Sequence, residues 1–457
     1  MNFKLATLAA ALALAGCMNL APDHKRPDAP IAKEWAAPAA PVVAQGQALN
    51  WEQFYAGDPR LVALIRTALD NNRDLRVAVA NAEQARFLAR VGEANRWPTL
   101  GVGAGAVHTP NTNGVNTTTY TAGVQLASYE LDLFGKLRNN SDAAAARYLA
   151  SEAGARAARL TLVAAVASTY FSLQADTEML ALARSTLDTR LESERLMRLK
   201  FDQGAASQID LATAESASGA AASAAAQAER QMAQDRNALV LLTGQAGLDT
   251  TLPSGQQLAT VALPEVPTGL PSEVLIRRPD VVQAEAQLSA AEANVGAARA
   301  AFFPSISLTS QLGTASTALR DLFSNTVWTW GIQGALTIFD AGRNRANLNA
   351  NKSAQDAAVA SYEKAVQTAF REVSDALAGR QTWGDQLTSQ LKQTQAEAKR
   401  LNLVELRYSN GAASTLDRLD AQRSSFAAEQ ALIQVRLSNL LNSVQLYKAL
   451  GGGTAAS

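Results

Sequence analysis

The chain contains one segment plan twice, at a spacing of about 206 residues, and this repeat restricts its possible folds more than any other feature. Helical patterns open at Asp74 and at Asp280, and each one ends in an aromatic residue followed by proline. Further along, the sequence Gly-Ala-Ala-Ser with an aspartate three residues later occurs within 204–210 and again within 411–417. We therefore predict a tandem duplication in which each half runs helix, strand pair, long helix, turn and long helix.

The repeat and the local composition predict six segments. Five prolines lie between Pro22 and Pro41, which is typical of an extended tether, and glycine, proline, threonine and serine are frequent between the two copies. The predicted segments are a lipoprotein signal peptide (1–16), a lipidated tether (17–50), a first repeat (51–245) with a strand pair at about 99–131, a linker (246–270), a second repeat (271–450) with a strand pair at about 305–338, and a flexible tail (451–457).

The first residues have the pattern of an export signal. Lys4 is followed by an apolar stretch from Leu5 to Ala15, which has the length of a signal-peptide core and is too short to cross a bilayer as a helix. The stretch ends in Leu-Ala-Gly-Cys, which resembles a bacterial lipobox, and Cys17 is the only cysteine of the chain. We expect Cys17 to carry the lipid. The resemblance also implies that Met18 permits sorting to the outer membrane.

The composition favours long helices. Hydrophobic residues make up 47% of the chain and aromatic residues only 6%, so alanine dominates the apolar share. Alanine is the best helix former and lets helices approach closely. No proline interrupts 137–200 or 343–408, and each stretch would extend roughly 95 Å as a helix. The 41 basic and 41 acidic residues balance, so no basic field indicates a nucleic acid partner.

A heptad pattern marks the last helical stretch. Large residues recur at every seventh position, at Leu419, Phe426, Ile433, Leu440 and Tyr447. Their counterparts in the first copy are small or shorter, at Ala212, Gly219, Ala226, Ala233 and Val240. Sustained heptads predict coiled-coil packing. We expect the large residues of one copy to interlock with the small ones of the other.

Four segments alternate between apolar and polar residues as strands do. They begin near Leu100, Tyr120, Ser305 and Trp328, and Tyr120, Trp328 and Trp330 are expected near strand ends. The alternation fits either a half-buried sheet of a soluble domain or a membrane β-barrel, which the lipobox favours. Four strands are too few to close a barrel. Two chains would supply eight strands and three would supply twelve, and the pattern does not choose between them.

Three motifs carry a resemblance to a known family. They are Tyr-Glu-Leu-Asp-Leu-Phe-Gly-Lys at 129–136, Ile-Arg-Arg-Pro-Asp-Val at 276–281 and Leu-Asp-Ala-Gln-Arg at 419–423. With the lipobox and the duplicated halves, they resemble the outer membrane factor family of TolC- and OprM-like ducts over essentially the whole mature chain. The resemblance implies an α+β membrane protein, a homotrimer whose twelve-stranded outer-membrane barrel takes four strands from each chain and continues into a long periplasmic helical barrel. It also implies a periplasmic adaptor and an inner-membrane RND-type transporter as partners.

The resemblance assigns a role to one helix face. Leu416, Asp420 and Arg423 stand at helical spacing on one face, and the matching residues of the family hold the periplasmic aperture shut. A single exposed Asp–Arg pair would contribute little to stability. The first copy has no charge at the equivalent positions, which are Ile209, Thr213 and Ser216. We predict a periplasmic gate built from the second copy.

Residues for catalysis are scarce. The chain has two histidines, His24 in the tether and His108 near a strand end, which offers neither a histidine triad nor a metal cluster. We expect no enzyme activity and no cofactor. The predicted function is a passive outer-membrane exit duct for drugs or other small toxic compounds. An exit duct for type I protein secretion and a structural periplasmic coiled-coil lipoprotein stay as alternatives.

Overall fold

A computed structural model describes residues 18–28, 30–32, 49–110, 116–247, 258–265 and 275–452. In this part of the chain the helices are α1 (Trp51–Phe54), α2 (Pro59–Asn71), α3 (Arg73–Ala94), α4 (Lys136–Asp202), α5 (Gln208–Thr243), α6 (Pro279–Ala300), α7 (Arg343–Ser409) and α8 (Thr415–Ala449). The strands are β1 (Leu100–Pro110), β2 (Asn116–Leu131), β3 (Ser305–Ser316) and β4 (Thr326–Ala335). Both sequence copies therefore contain a helix, two strands, a long helix and a second helix in the same order.

The two predicted long helices are confirmed. Helices α4 and α7 each have 67 residues, which corresponds to about 100 Å of helix. Each helix runs without interruption because its alanine-rich sequence lacks proline. Contacts within the chain divide it into two units, Met1–Ala29 with Val79–Gly154 and Val282–Ala365, and Pro30–Ala78 with Ala155–Val281 and Val366–Ser457. The long helices contribute residues to both units.

The repeated Gly-Ala-Ala-Ser sequence forms the turn after each long helix. Gly204 ends α4 with a φ of 72°, in the left-handed region that glycine adopts without strain. Ser207 then starts α5, since its side chain accepts a hydrogen bond from the Asp210 amide while the Asp210 carboxylate accepts one from the Ser207 amide. The turn between α7 and α8 has the same construction, with Gly411, Ser414 and Asp417. The shared residues thus fix two matching helical hairpins.

The first unit contains an antiparallel sheet in the order β1-β2-β3-β4. Directly opposed residues of antiparallel strands point to the same face. One row across all four strands consists of Val102, Val124, Leu312 and Trp328, and each of these side chains is exposed in the chain. The neighbouring row on the other face consists of Gly101, Gln125, Gln311 and Thr329. The sheet therefore has an exposed apolar face and a polar face.

Strands β2 and β4 do not follow a regular alternation over their whole pattern. Strand β4 ends at Ala335, although the alternation continues to Ile338, because its partner β3 begins only after Pro304 and offers nothing further to pair with. Strand β2 has 16 residues, and an irregularity between Leu126 and Tyr129 breaks its alternation. Trp330 lies in the middle of β4, and the expectation that it lies near a strand end is wrong.

The small heptad residues of the first copy are not buried against α8 within this chain, and the interlocking of adjacent helices stays a prediction. Ala212, Gly219, Ala226 and Ala233 are exposed. The buried seam of α5 instead comprises Ala214, Ser218, Ala221, Ala225 and Ala228. Ser218 donates a hydrogen bond to Glu194 of α4, so the seam faces the other helix of its own hairpin. The hairpin buries its own heptad because both helices are held side by side by the short turn.

The motif at 276–281 has a structural role in the second unit, which it performs through Arg278. Its buried guanidinium donates to the Asp280 carboxylate at 2.7 and 3.1 Å, to the Glu372 carboxylate at 2.8 Å and to the Ala449 carbonyl at 2.9 Å. A buried charge needs such partners to offset its desolvation. The motif therefore fastens the start of α6 to α7 and to the end of α8.

Residues 18–28 of the predicted tether lie along α6. Residues 18–28 contain no helix or strand. His24 Nδ1 is 2.7 Å from the Glu292 carboxylate, and Arg26 donates two hydrogen bonds to Glu285. A side chain at Gly296 would collide with the backbone of Ala21. Charge pairing and close approach thus hold this segment in place within the first unit.

Candidate functional site

Asp420 joins the two helices of the second hairpin. Its carboxylate accepts a hydrogen bond from Arg400 of α7 at 2.5 Å and a second from Arg423, one turn further along α8, at 3.0 Å. The structure therefore brings together the predicted pair and adds a third member. Arg400 was missed by sequence reasoning, although a positional signal exists. It lies ten residues before Asn410 in the turn, and Asp420 lies ten residues after it, so a hairpin places the two side by side.

The charge state of Asp420 depends on this contact. The hydrogen bond from Arg400 is the main cause that holds the pKa of Asp420 below its ordinary value, and Arg423 adds to it. A lowered folded-state pKa means that the interaction is fully present above the ordinary carboxylate pKa and is lost only as the pH falls through the lowered value. The Arg400–Asp420 link is therefore intact at neutral and mildly acidic pH.

A second contact connects α8 to the first hairpin. Arg190 of α4 donates a hydrogen bond to the side-chain oxygen of Gln422, and the Gln422 amide donates to Glu405 of α7 at 3.0 Å. Arg190 is buried, and burial is the first cause that lowers its pKa, followed by repulsion from Arg418. The Leu-Asp-Ala-Gln-Arg motif at 419–423 thus contacts α4 and α7 through its two polar middle residues.

The first hairpin has a different charge arrangement. Arg198 of α4 is paired with Glu194 at 3.0 Å and with Glu215 of α5 at 2.6 Å. At the positions equivalent to Asp420 and Arg423 it has Thr213 and Ser216. Thr213 donates to the carbonyl of Ile209 in its own helix. This hairpin therefore has a cross-link between its helices, but no charge on the face that corresponds to the predicted gate.

The predicted gate residues and their counterparts line one groove. Its volume is about 700 Å³, and its walls come from α4, α5 and α8. Leu416, Asp420 and Arg423 lie on one side, and Ile209, Thr213 and Ser216 lie on the other. The Leu416 side chain is 73% exposed. The heptad residues Leu419 and Phe426 also line the groove. The two hairpins thus present their equivalent faces to a shared space.

Cys17, the predicted lipid attachment residue, lies outside the described residues. In the part of the chain that the structure describes, no helix combines the length and the apolar character that a membrane span requires. The same residues include no group of three or more His, Cys, Asp or Glu side chains placed to hold a metal ion.

Comparison with known proteins identifies the family. The family model described as outer membrane efflux protein matches residues 64–245 and 270–452. The chain belongs to the outer membrane efflux protein family. The two matched segments follow the two sequence copies closely. The predictions of family, of outer-membrane location and of an efflux function are confirmed by this membership.

Relatives within the outer membrane efflux protein family match the chain almost end to end. The probable efflux pump outer membrane protein TtgC of Pseudomonas putida is 43% identical over 470 residues, with 99% of this chain and 96% of TtgC covered. The cation efflux system protein CusC of Escherichia coli is 40% identical, with 98% of each covered. The crystal structure of the open state of the MtrE outer membrane channel of Neisseria gonorrhoeae superposes with a TM-score of 0.86 at 39% identity, covering 95% of this chain and 98% of that one. These likenesses confirm the α+β fold.

We predict that Arg400 and Arg198, which each link the two helices of one hairpin, stabilise only their own hairpin. Arg400→Gln should speed amide hydrogen exchange in peptides from 395–425, because it removes the link between α7 and α8. Arg198→Gln is the matched change in the first hairpin and should affect 193–218 instead. Hydrogen exchange followed by mass spectrometry measures both. Equal protection of the 395–425 peptides in wild type and Arg400→Gln would contradict the assigned role of Arg400.

Proposed function

We propose that this chain is one of three that form the outer-membrane exit duct of a tripartite efflux pump. The duct conducts drugs or other small toxic compounds passively from the periplasm to the exterior. A periplasmic adaptor and an inner-membrane RND-type transporter are its partners, and the transporter supplies the energy. Family membership supports the efflux function, and the sheet of the first unit supports the arrangement of the chains.

The exposed apolar face of the sheet is the observation that carries this proposal. Among the described residues, β1 and β4 each pair on one side only, which leaves two open edges with unpaired backbone groups. Lipid does not tolerate open edges, because nothing there can satisfy these groups. Pairing β4 of one chain with β1 of the next would close a barrel of twelve strands. Its apolar row at Leu312 would then face lipid, and its polar row at Gln311 would face the channel.

We predict opposite outcomes for two adjacent substitutions in β3. Leu312→Arg should impair trimer formation in the outer membrane, since a charge facing lipid costs up to about 2–4 kcal/mol. Gln311→Arg places the same charge on the polar face and should be tolerated. Cross-linking of isolated membranes, with a trimer band as readout, measures the difference. Equal trimer yields for the two variants would contradict the lipid-facing assignment, and a stable monomer that forms pores would contradict the shared barrel.

The second hairpin is proposed to close the periplasmic end. Three copies of Leu416 around a threefold axis would form an apolar constriction, and Asp420 with its arginines would set the position of α8 one turn further on. The observed link from Asp420 to Arg400 supports this role because it ties α8 to α7. Breaking it releases α8 without removing any residue from the helix interior. The adaptor would open the duct by shifting this hairpin.

We predict that Asp420→Ala with Arg423→Ala raises single-channel conductance, and that adding Leu416→Ala raises it further. Loss of the ionic contacts frees the hairpin, and loss of the leucine widens the constriction. Planar-bilayer recording measures conductance, while cross-linking verifies the trimer. The matched control is Thr213→Ala with Ser216→Ala, which should change conductance much less. An intact trimer of the triple variant with wild-type conductance would remove these residues from the gate.

The relatives of this chain include proteins named for the efflux of antibiotics, toluene, solvents and cations. The names favour small molecules over protein secretion for this chain. Conductance of the purified trimer would also separate a duct from a structural coiled-coil lipoprotein, which forms no pore.

The lipid on Cys17 is proposed to be a second membrane anchor, independent of the strands. Cys17→Ser should abolish incorporation of labelled palmitate and slow the processing of the signal peptide. Trimers should still form, because the barrel strands are unchanged. Growth of cells with labelled palmitate, followed by purification, gives the measurement. Wild-type protein that takes up no label would exclude lipid attachment at this position.

A further inference from the structure

The groove between the hairpins contains a buried arginine whose hydrogen-bond partner among the described residues is a neutral amide. Arg190 is 7% exposed and lines the groove wall formed by α4. Within the described residues, its guanidinium makes one side-chain hydrogen bond, to Gln422, and no carboxylate lies at ion-pair distance. Glu405 attracts the Arg190 charge from further away, but that carboxylate is itself paired with Arg418, which repels Arg190. A guanidinium carries five N–H donors. Most of its hydrogen-bonding capacity is therefore available to a molecule in the groove.

Arg278, also buried among the described residues, has a guanidinium whose charge is fully paired. Arg278 is 5% exposed and has two carboxylates and a backbone carbonyl as partners. Burial of a charge is unfavourable unless paired. Arg190 is similarly buried but hydrogen-bonds to a single neutral partner, and Glu405 acts on it only from beyond ion-pair distance. An anion in the groove would provide the counter-charge that the protein itself supplies to Arg278.

The other charges of the groove also favour an anion. Asp420 is the carboxylate in the lining, and it is already bonded to Arg400 and Arg423. Arg423 lies on the same wall, with a side chain that is 81% exposed. The lining thus has two guanidiniums and one carboxylate that is engaged by arginine. An anionic group can approach Arg190 without meeting an uncompensated negative charge.

The rest of the lining is largely apolar, with large side chains on one wall and small ones on the facing wall. Helix α8 contributes Leu419 and Phe426, whereas the facing surface of α5 consists largely of alanine, including Ala217. Alanine side chains are too short to fill the space opposite the large residues, so the groove stays open. Its volume of about 700 Å³ lies within the range of small-molecule sites. A rigid ring system fills such a space with little loss of conformational entropy.

We propose that this groove is a binding site for an organic anion with an apolar ring system, whose anionic group contacts Arg190. The ring system lies between the alanine surface of α5 and Leu419 and Phe426 of α8. The site is contained in one chain. The proposal concerns binding and does not depend on conduction, so a failure of the gate experiment leaves it untouched.

The test uses the full-length protein in lipid nanodiscs and three probes of similar shape. These are 1-naphthalenesulfonate, uncharged 1-naphthalenemethanol and cationic 1-naphthylmethylammonium. Isothermal titration calorimetry, with empty nanodiscs as the blank, measures binding of each. We expect the sulfonate to bind at least about tenfold more tightly than the other two, as a charge-assisted contact implies. Equal affinities for all three probes would overturn the proposal, as would absence of sulfonate binding because a neighbouring chain fills the groove.

Two variants test separately how much the Arg190 charge and the open space of the groove contribute to binding. Arg190→Gln keeps a hydrogen-bonding side chain and should abolish the preference for the sulfonate. Ala217→Phe fills the groove, leaves Arg190 in place and should weaken binding of the sulfonate about tenfold or more. Arg184→Gln is the control, since Arg184 lies on the same helix and is exposed, and it should bind like wild type. A sulfonate preference that survives Arg190→Gln, or unchanged binding in Ala217→Phe, would refute the site.

Discussion

The turn at the tip of each hairpin sets the register on which the other contacts depend. A left-handed glycine ends the long helix, and a serine and aspartate that cap each other begin the next. Since the turn has a fixed length, residues at similar distances before and after it lie side by side. That is why Arg400 meets Asp420 and Arg198 meets Glu215. A turn one residue longer would rotate α8 by about 100° and separate these pairs.

Much of the fold could be predicted because its signals are local. Absence of proline, abundance of alanine and the repeated turn sequence define the long helices without any tertiary information. The ends of the strands were harder to predict from the sequence. The end of β4 depends on where β3 begins, and the break in β2 near Leu126 depends on pairing with β3. The alternation of apolar and polar residues is a property of a single strand, whereas the end of β4 and the irregularity in β2 depend on how two strands pair.

The candidate site was predictable in part for the same reason. Asp420 and Arg423 share one helix, so their contact follows from helical spacing. Arg400 requires the register of the hairpin, and the contact of Arg190 with Gln422 requires the placement of one hairpin against the other. The heptad of the second copy is visible in the sequence, but its counterpart on α5 is shifted to the seam that contains Ser218. Equivalent positions in two copies need not have equivalent surroundings.

The difference between the two hairpins has a consequence for symmetry and for evolution. A chain with a single hairpin, assembled as a hexamer, would place the same side chains at all six positions of a ring. In the proposed trimer the hairpin with Thr213 and Ser216 at these positions alternates with the hairpin that has Asp420 and Arg423 there. Two different hairpins in one chain would thus halve the number of like charges around the proposed ring and widen their spacing. The sequence of one hairpin can also change while the sequence of the other hairpin is kept.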